Sequence, residues 1–158
     1  MGKVLVAYYS RTGNTEKMAQ AVAAGARSTG VEVALKPIAN VTVEELTEFD
    51  GLIFGSPTYY GSMAWEIKRL LDESVELHGR LAGKIGGAFT SSANIGGGNE
   101  TTILDILKAF LIHGMIIEGN AHGDHYGPVA INAPDKRSMP QCEALGKRVG
   151  ELVKRLSK

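Results

Sequence analysis

The feature that most constrains this chain is an alternation. Five short apolar runs, KVLVAYY, VEVALKPI, GLIFGSP, GKIGGAFTSS and GMIIEGN, are separated by longer stretches with helical periodicity. Runs that are apolar on consecutive positions suit strands covered on both faces, since a strand with one wet face alternates. Between them, Met18, Ala19, Val22, Ala23 and Ala26 share a helical face, as do Ile103, Leu107, Phe110 and Leu111, and Trp65 to Val75 supplies a further helix. Cys142, Leu145, Val149, Leu152, Val153 and Leu156 keep helical spacing to the end, with Ser138 and Gln141 as a capping box ahead of them. Thr42 and Glu45 offer a similar box before the third run. Strand and helix alternating in this way predict an α/β fold: a parallel sheet with helices on both faces, joined by right-handed crossovers.

A chain of 158 residues with 44% hydrophobic content suits a single domain, residues 1–158, with a real core. Seventeen basic and seventeen acidic residues cancel, so no overall field draws nucleic acid or an anionic membrane, and a small-molecule partner is expected. The apolar run Val4 to Tyr9 is too short for a signal-peptide core or a membrane span, which implies a cytoplasmic protein. The single cysteine, Cys142, has no internal disulfide partner and sits at an apolar helical position, where it reads as packing.

In such sheets ligands bind beyond the carboxyl ends of the strands, so the loops that follow strands are the ones to inspect. The first is SRTGNT, Ser10 to Thr15. Free amides at a helix start, with hydroxyls from Ser10, Thr12 and Thr15 and a glycine at position 13, make a cradle for a monophosphate, with Arg11 beside it. A plain capped turn is the bland alternative, but three hydroxyls around one glycine exceed what capping needs. The loop is neither G-x-x-x-x-G-K-[ST] nor G-x-G-x-x-G, which removes the main support for ATP hydrolysis and for Rossmann-type dinucleotide binding.

These residues also carry a family likeness. SRTGNT resembles the [ST]-x-[ST]-G-x-T phosphate loop of flavodoxins, and YYSRTGNTEKMAQAVAAGA is similar to the opening of the WrbA family of NAD(P)H:quinone oxidoreductases. FGSPTYYGSMAWEIKRLLD, FTSSANIGGGNETTI and HGMIIEG resemble that family's second loop, third loop and fifth strand. The resemblance implies a flavodoxin-like three-layer sandwich, a five-stranded parallel sheet of order 2-1-3-4-5, holding FMN at its carboxyl edge. It implies that Ser10, Arg11, Thr12, Gly13, Asn14 and Thr15 bind the phosphate, that Pro57, Thr58, Tyr59, Tyr60 and Gly61 line the isoalloxazine, and that Ser91, Ser92, Ala93, Asn94, Ile95, Gly96 and Gly97 run along its pyrimidine side. Family members carry an aromatic at the position of Thr12, a tryptophan near that of His78 and a long insertion after the second strand associated with tetramer assembly. This chain has none of the three, and one extra residue before its triple glycine.

Three functions compete. Electron-carrying flavodoxins are strongly acidic and sandwich the flavin between aromatics of the second and third loops. Here the net charge is zero and SSANIGGGNE contains no aromatic, so one flavin face is expected to be open to nicotinamide or a quinone. The expectation is therefore an FMN-dependent NAD(P)H:quinone reductase working by two-electron hydride transfer, as a monomer or a homo-oligomer (dimer or tetramer). A one-electron flavodoxin is the alternative. A regulatory module without flavin is the second, though its phosphoacceptor form needs acidic residues at the strand ends, where Ser10, Ser56 and Ser91 stand. His113 matches a histidine assigned to the flavin site in the WrbA family, but it ends the fourth helix and is expected to reach FMN only across a subunit interface. His122, Asp124 and His125 are three candidate ligands where a closed zinc site needs four, so no metal is expected.

Overall fold

The double-faced runs become strands because each of their faces finds a cover. In a computed structural model that describes residues 1–157, β1 (Lys3–Tyr8) turns Val4, Val6 and Tyr8 to one face of the sheet and Leu5 and Ala7 to the other, all buried. The first face packs under α1 (Asn14–Arg27) and α4 (Ser138–Leu156), the second under α2 (Trp65–Glu73) and α3 (Asn99–Ile112). Met18, Ala19, Val22, Ala23 and Ala26 of α1 are all fully buried, and each larger side chain so placed contributes about 1.5–3 kcal/mol relative to exposure.

The remaining strands are β2 (Glu32–Pro37), β3 (Gly51–Tyr59), β4 (Ser62–Met63), β5 (Ile85–Ser92), β6 (Ile116–Ile117) and β7 (Val129–Ile131). The parallel order β2-β1-β3-β5-β6 is the one expected, with β5 and β6 as the fourth and fifth strands of the sequence reading. Two details differ. Residues 60 and 61 turn β3 back into β4, an antiparallel arm. The fifth strand is split: β6 pairs with the start of β5 (Ile85↔Ile116), and after an excursion over residues 118–128, β7 pairs with its end (Ser92↔Ile131).

Two local expectations are corrected. Leu111 was expected on the core face of α3, but that face is formed by Ile103, Ile106, Leu107 and Phe110, leaving Leu111 58% exposed. The reciprocal cap of α4 is Asp135 with Ser138 rather than Ser138 with Gln141: the amide of Ser138 donates to Asp135 Oδ1 at 2.9 Å and that of Asp135 to Ser138 Oγ at 2.8 Å. A carboxylate is the stronger acceptor for amides at a helix start, and the dipole favours its charge. These bonds hold the Asp135 carboxyl below the usual carboxylate range. Thr42 caps as expected, accepting the amide of Glu45 at 3.3 Å.

Cys142 is fully buried, and desolvation pushes its thiol up to about 12, so it packs as a small apolar group.

Candidate functional site

Parallel register brings the ends of β1, β3, β5 and β7 to one edge, and the loops that leave them meet there. Gly13, with φ 97°, turns the first loop into α1, and its amide donates to Ser10 Oγ at 3.1 Å. Among the described residues, the amides of Thr12, Asn14 and Thr15 find no acceptor. Unpaired amides at a helix start carry partial positive charge and suit an anion. The Thr15 hydroxyl lies beneath the loop, buried, 2.9 Å from Ser91 Oγ.

The first-loop residues Ser10, Arg11, Thr12, Asn14 and Thr15 share a cleft of about 380 Å³ with residues of two other loops. Pro57, Thr58 and Tyr59 form its second wall, and Ser91, Ser92 and Ala93 its third. The lining contains one cation and no carboxylate, a donor set that fits an anionic head group. Among the described residues, the one aromatic ring in this lining is Tyr59, which meets Tyr9 edge-on, centroids 6.3 Å apart.

The other expected residues border this cleft less directly. Tyr60 and Gly61 form the tip of the β3–β4 hairpin, where Tyr60 is fully exposed. Ile95 and Gly96 line a neighbouring cavity of about 620 Å³, against His125 and Tyr126 of the 118–128 excursion. Asn94 and Gly97 lie on the exposed loop between, where the Asn94 carbonyl accepts the Ser92 hydroxyl at 3.0 Å.

Buried hydroxyls floor the site. Ser56 Oγ accepts the amide of Ala64 at 2.8 Å, Thr90 donates to the Ser56 carbonyl at 2.7 Å, and Thr58 and Thr90 hydroxyls are 2.9 Å apart. Since the Thr90 proton is committed to Ser56, the Thr58 hydroxyl donates to Thr90.

One lining residue, Asn132, and one neighbour of the Tyr59 wall, Tyr9, were not read from the sequence. Tyr9 follows β1, and burial first, then the Glu66 carboxylate, raise its phenol pKa. Asn132 follows β7, borders the cleft, and sits at φ 58° with its amide donating to the Ser92 carbonyl at 2.7 Å. The usable signal was an asparagine between VAI and Ala-Pro, because asparagine tolerates the left-handed conformation.

His113 stands at the opposite edge. It ends α3 beside Gly114, whose carbonyl accepts the amide of Gly83 just before β5. Its Nε2 is 2.8 Å from Ser74 Oγ. Around the 118–128 excursion, the Asp124 carboxylate accepts Arg137 at 2.9 Å and the amide of Val129 at 2.9 Å, and His125 Nδ1 is 2.8 Å from the Asn120 carbonyl.

The family profile described as Flavodoxin matches residues 6–102, which span all three loops. The chain belongs to the flavodoxin family. A protein named Flavodoxin from Aquifex aeolicus is 43% identical, covering 97% of this chain and 88% of its own. One named NAD(P)H dehydrogenase (quinone) from Archaeoglobus fulgidus is 35% identical over 99% of this chain and all of its own. Among solved structures, a flavodoxin described as a WrbA-like protein from Agrobacterium tumefaciens superposes with TM-score 0.84 at 26% identity, covering 98% of this chain and 99% of its own. The fold is thus the flavodoxin sandwich, and FMN is the cofactor that membership implies. No described helix of the chain is long and apolar enough to cross a membrane.

Proposed function

We propose that this flavodoxin-family chain binds FMN in the three-loop cleft and acts as a cytoplasmic NAD(P)H:quinone reductase. The observation that carries the reading is the one-sided placement of aromatic rings. Tyr59, with Tyr9 edge-on against it, lines one wall, while the third loop offers Ala93, Asn94 and Ile95, with no ring among them. A flat cofactor lodged there keeps one face accessible, as hydride transfer requires. Relatives named NAD(P)H dehydrogenase (quinone) at 35% and 43% identity support it.

Bound FMN would supply the two-electron relay: hydride leaves the nicotinamide and, with a proton, ends on the quinone as quinol. The chain's own residues do the rest. The amides of Thr12, Asn14 and Thr15, with the hydroxyls of Ser10 and Thr12, would hold the phosphate, and Arg11 would offset its charge. Thr58, Ser91, Ser92 and Asn132 would fix the polar chain and ring edge, while Tyr59, with Tyr60 at the hairpin tip beside it, would cover the ring's protein side. His113 would join a flavin only in a second subunit of a dimer or tetramer, because it ends α3 at the edge of the sheet opposite the three-loop cleft.

The second reading, a one-electron carrier, is favoured by the relatives named Flavodoxin, one of them 43% identical over 97% of the chain. Steady-state turnover of NADH or NADPH with benzoquinone by the FMN-loaded protein separates the two. Robust turnover is expected; FMN bound without turnover would leave the carrier.

A further inference from the structure

Four positions of the third loop and α3 fall on one stripe at helical spacing: Gly98, Thr101, Thr102 and Asp105. Every one of them meets the hairpin of β3 and β4. A Cβ at Gly98 would fall 2.3 Å from Gly61 Cα, so the helix start and the hairpin tip are in backbone contact. The Thr101 hydroxyl sits between two carbonyls, 2.7 Å from that of Gly61 and 2.8 Å from that of Gly98. Thr102 Oγ1 is 3.2 Å from Thr58 Oγ1. One turn further on, Ser62 Oγ donates to Asp105 Oδ2 at 2.6 Å, while Lys108 pairs with the other oxygen at 2.6 Å.

The hairpin needs such a clamp. Its arms pair only through Thr58↔Met63 and Tyr59↔Ser62, and an isolated two-stranded hairpin is marginal in water. Both turn residues have positive φ, 49° at Tyr60 and 79° at Gly61, the geometry of a type I′ turn. That turn favours Asn-Gly; tyrosine at its first position is strained, and its exposed ring makes no contact that would hold it.

We propose that Thr101 and Asp105 are positioning residues for the cofactor. Through Gly61 and Ser62 they hold the hairpin that presents Tyr59 and Tyr60 at the cleft, and so set both the affinity for FMN and the reduction potential of the bound flavin. The inference rests on FMN occupying the three-loop cleft. Neither residue lines the three-loop cleft; both act through the hairpin. Because α3 begins where the third loop ends, the same clamp ties the second loop to the third.

The test compares FMN affinity, read by flavin fluorescence quenching, with the midpoint potential of bound FMN. Thr101→Val and Asp105→Ala remove the hydrogen-bonding atoms, while Thr101→Ser and Asp105→Asn keep one. The first two are expected to weaken FMN binding by about three- to tenfold each and to shift the potential, whereas the conservative pair stays near wild type on both measures. A Thr101→Val/Asp105→Ala double variant with wild-type affinity and potential would overturn the proposal. So would a loss confined to melting temperature with an unchanged potential, which marks a merely structural contact. A wild-type protein that takes up no FMN would overturn it together with the reading it rests on.

Discussion

Thr15 Oγ1 and Ser91 Oγ lie 2.9 Å apart in a buried contact that spans 76 positions of sequence. This bond joins the first turn of α1 to the end of β5, so the phosphate cradle and the third loop share one anchor. One of the two hydroxyls donates, and truncating either leaves the other unpaired in a dry place. Thr15→Val and Ser91→Ala are each expected to cost about 1–3 kcal/mol, and the double variant less than their sum, with a coupling of about 0.5–1.5 kcal/mol. Urea denaturation of the four proteins checks this, and strict additivity would show that the contact is not an energetic bond.

Tyr60 is expected to trade stability for binding. At φ 49° in a type I′ turn, it occupies a position that asparagine fills with little strain. Tyr60→Asn should raise the melting temperature of the apoprotein, by the release of about 1 kcal/mol of backbone strain, and should weaken FMN binding because the exposed ring is lost. A variant that gains no stability would show that the clamp from α3 has already relieved the turn.

How much of this was legible in the chain depends on whether local pattern or distant contact decides each residue. The five residues read as the face of α1 are all buried against the sheet or α4, where periodicity and burial coincide, and Ala21 joins them. That three loops meet at the carboxyl edge was legible for a similar reason: strand ends and glycines mark them wherever the sheet goes. The split of the fifth strand was not, since Val129 to Ile131 is three residues long between Pro128 and Asn132, and only pairing with Thr90 to Ser92 makes it a strand. Ser138 and Gln141 fit a capping pattern, yet Asp135 offered a better acceptor three residues earlier. Nor did Tyr-Gly read as a turn dipeptide; the partners of Gly61 and Ser62, Thr101 and Asp105, lie some forty positions away.

The seam between α1 and α4 should tolerate no added methyl. A Cβ at Gly146 would fall 1.9 Å from the Val22 carbonyl, and one at Gly25 2.0 Å from that of Glu143. Both obstacles are helix backbone, so relief requires the helices to part. Gly146→Ala is expected to destabilise by about 1–3 kcal/mol or more despite alanine's better helix propensity. Denaturant unfolding measures it, and a neutral result would mean that the seam slides apart freely.

The imidazole of His113 should make the fold sensitive to acid. Ser74 Oγ donates to the Leu71 carbonyl at 2.6 Å, so the ring donates to Ser74 through Nε2. That leaves Nδ1 buried and, among the described residues, without a partner, so a proton there would have no acceptor. A helix carboxyl end favours an imidazolium, but here burial, and then the neighbouring His78, lower the pKa below the usual histidine value. As pH falls, the unfolded chain takes up this proton before the folded one does. Stability is therefore full above the ordinary histidine range and is lost as pH falls through that range toward the depressed value. Melting temperature is expected to decline between about pH 7 and about pH 5, and His113→Gln should flatten that decline. An equal decline in the variant would assign the acid sensitivity to other groups and leave the His113–Ser74 pair without a role in it.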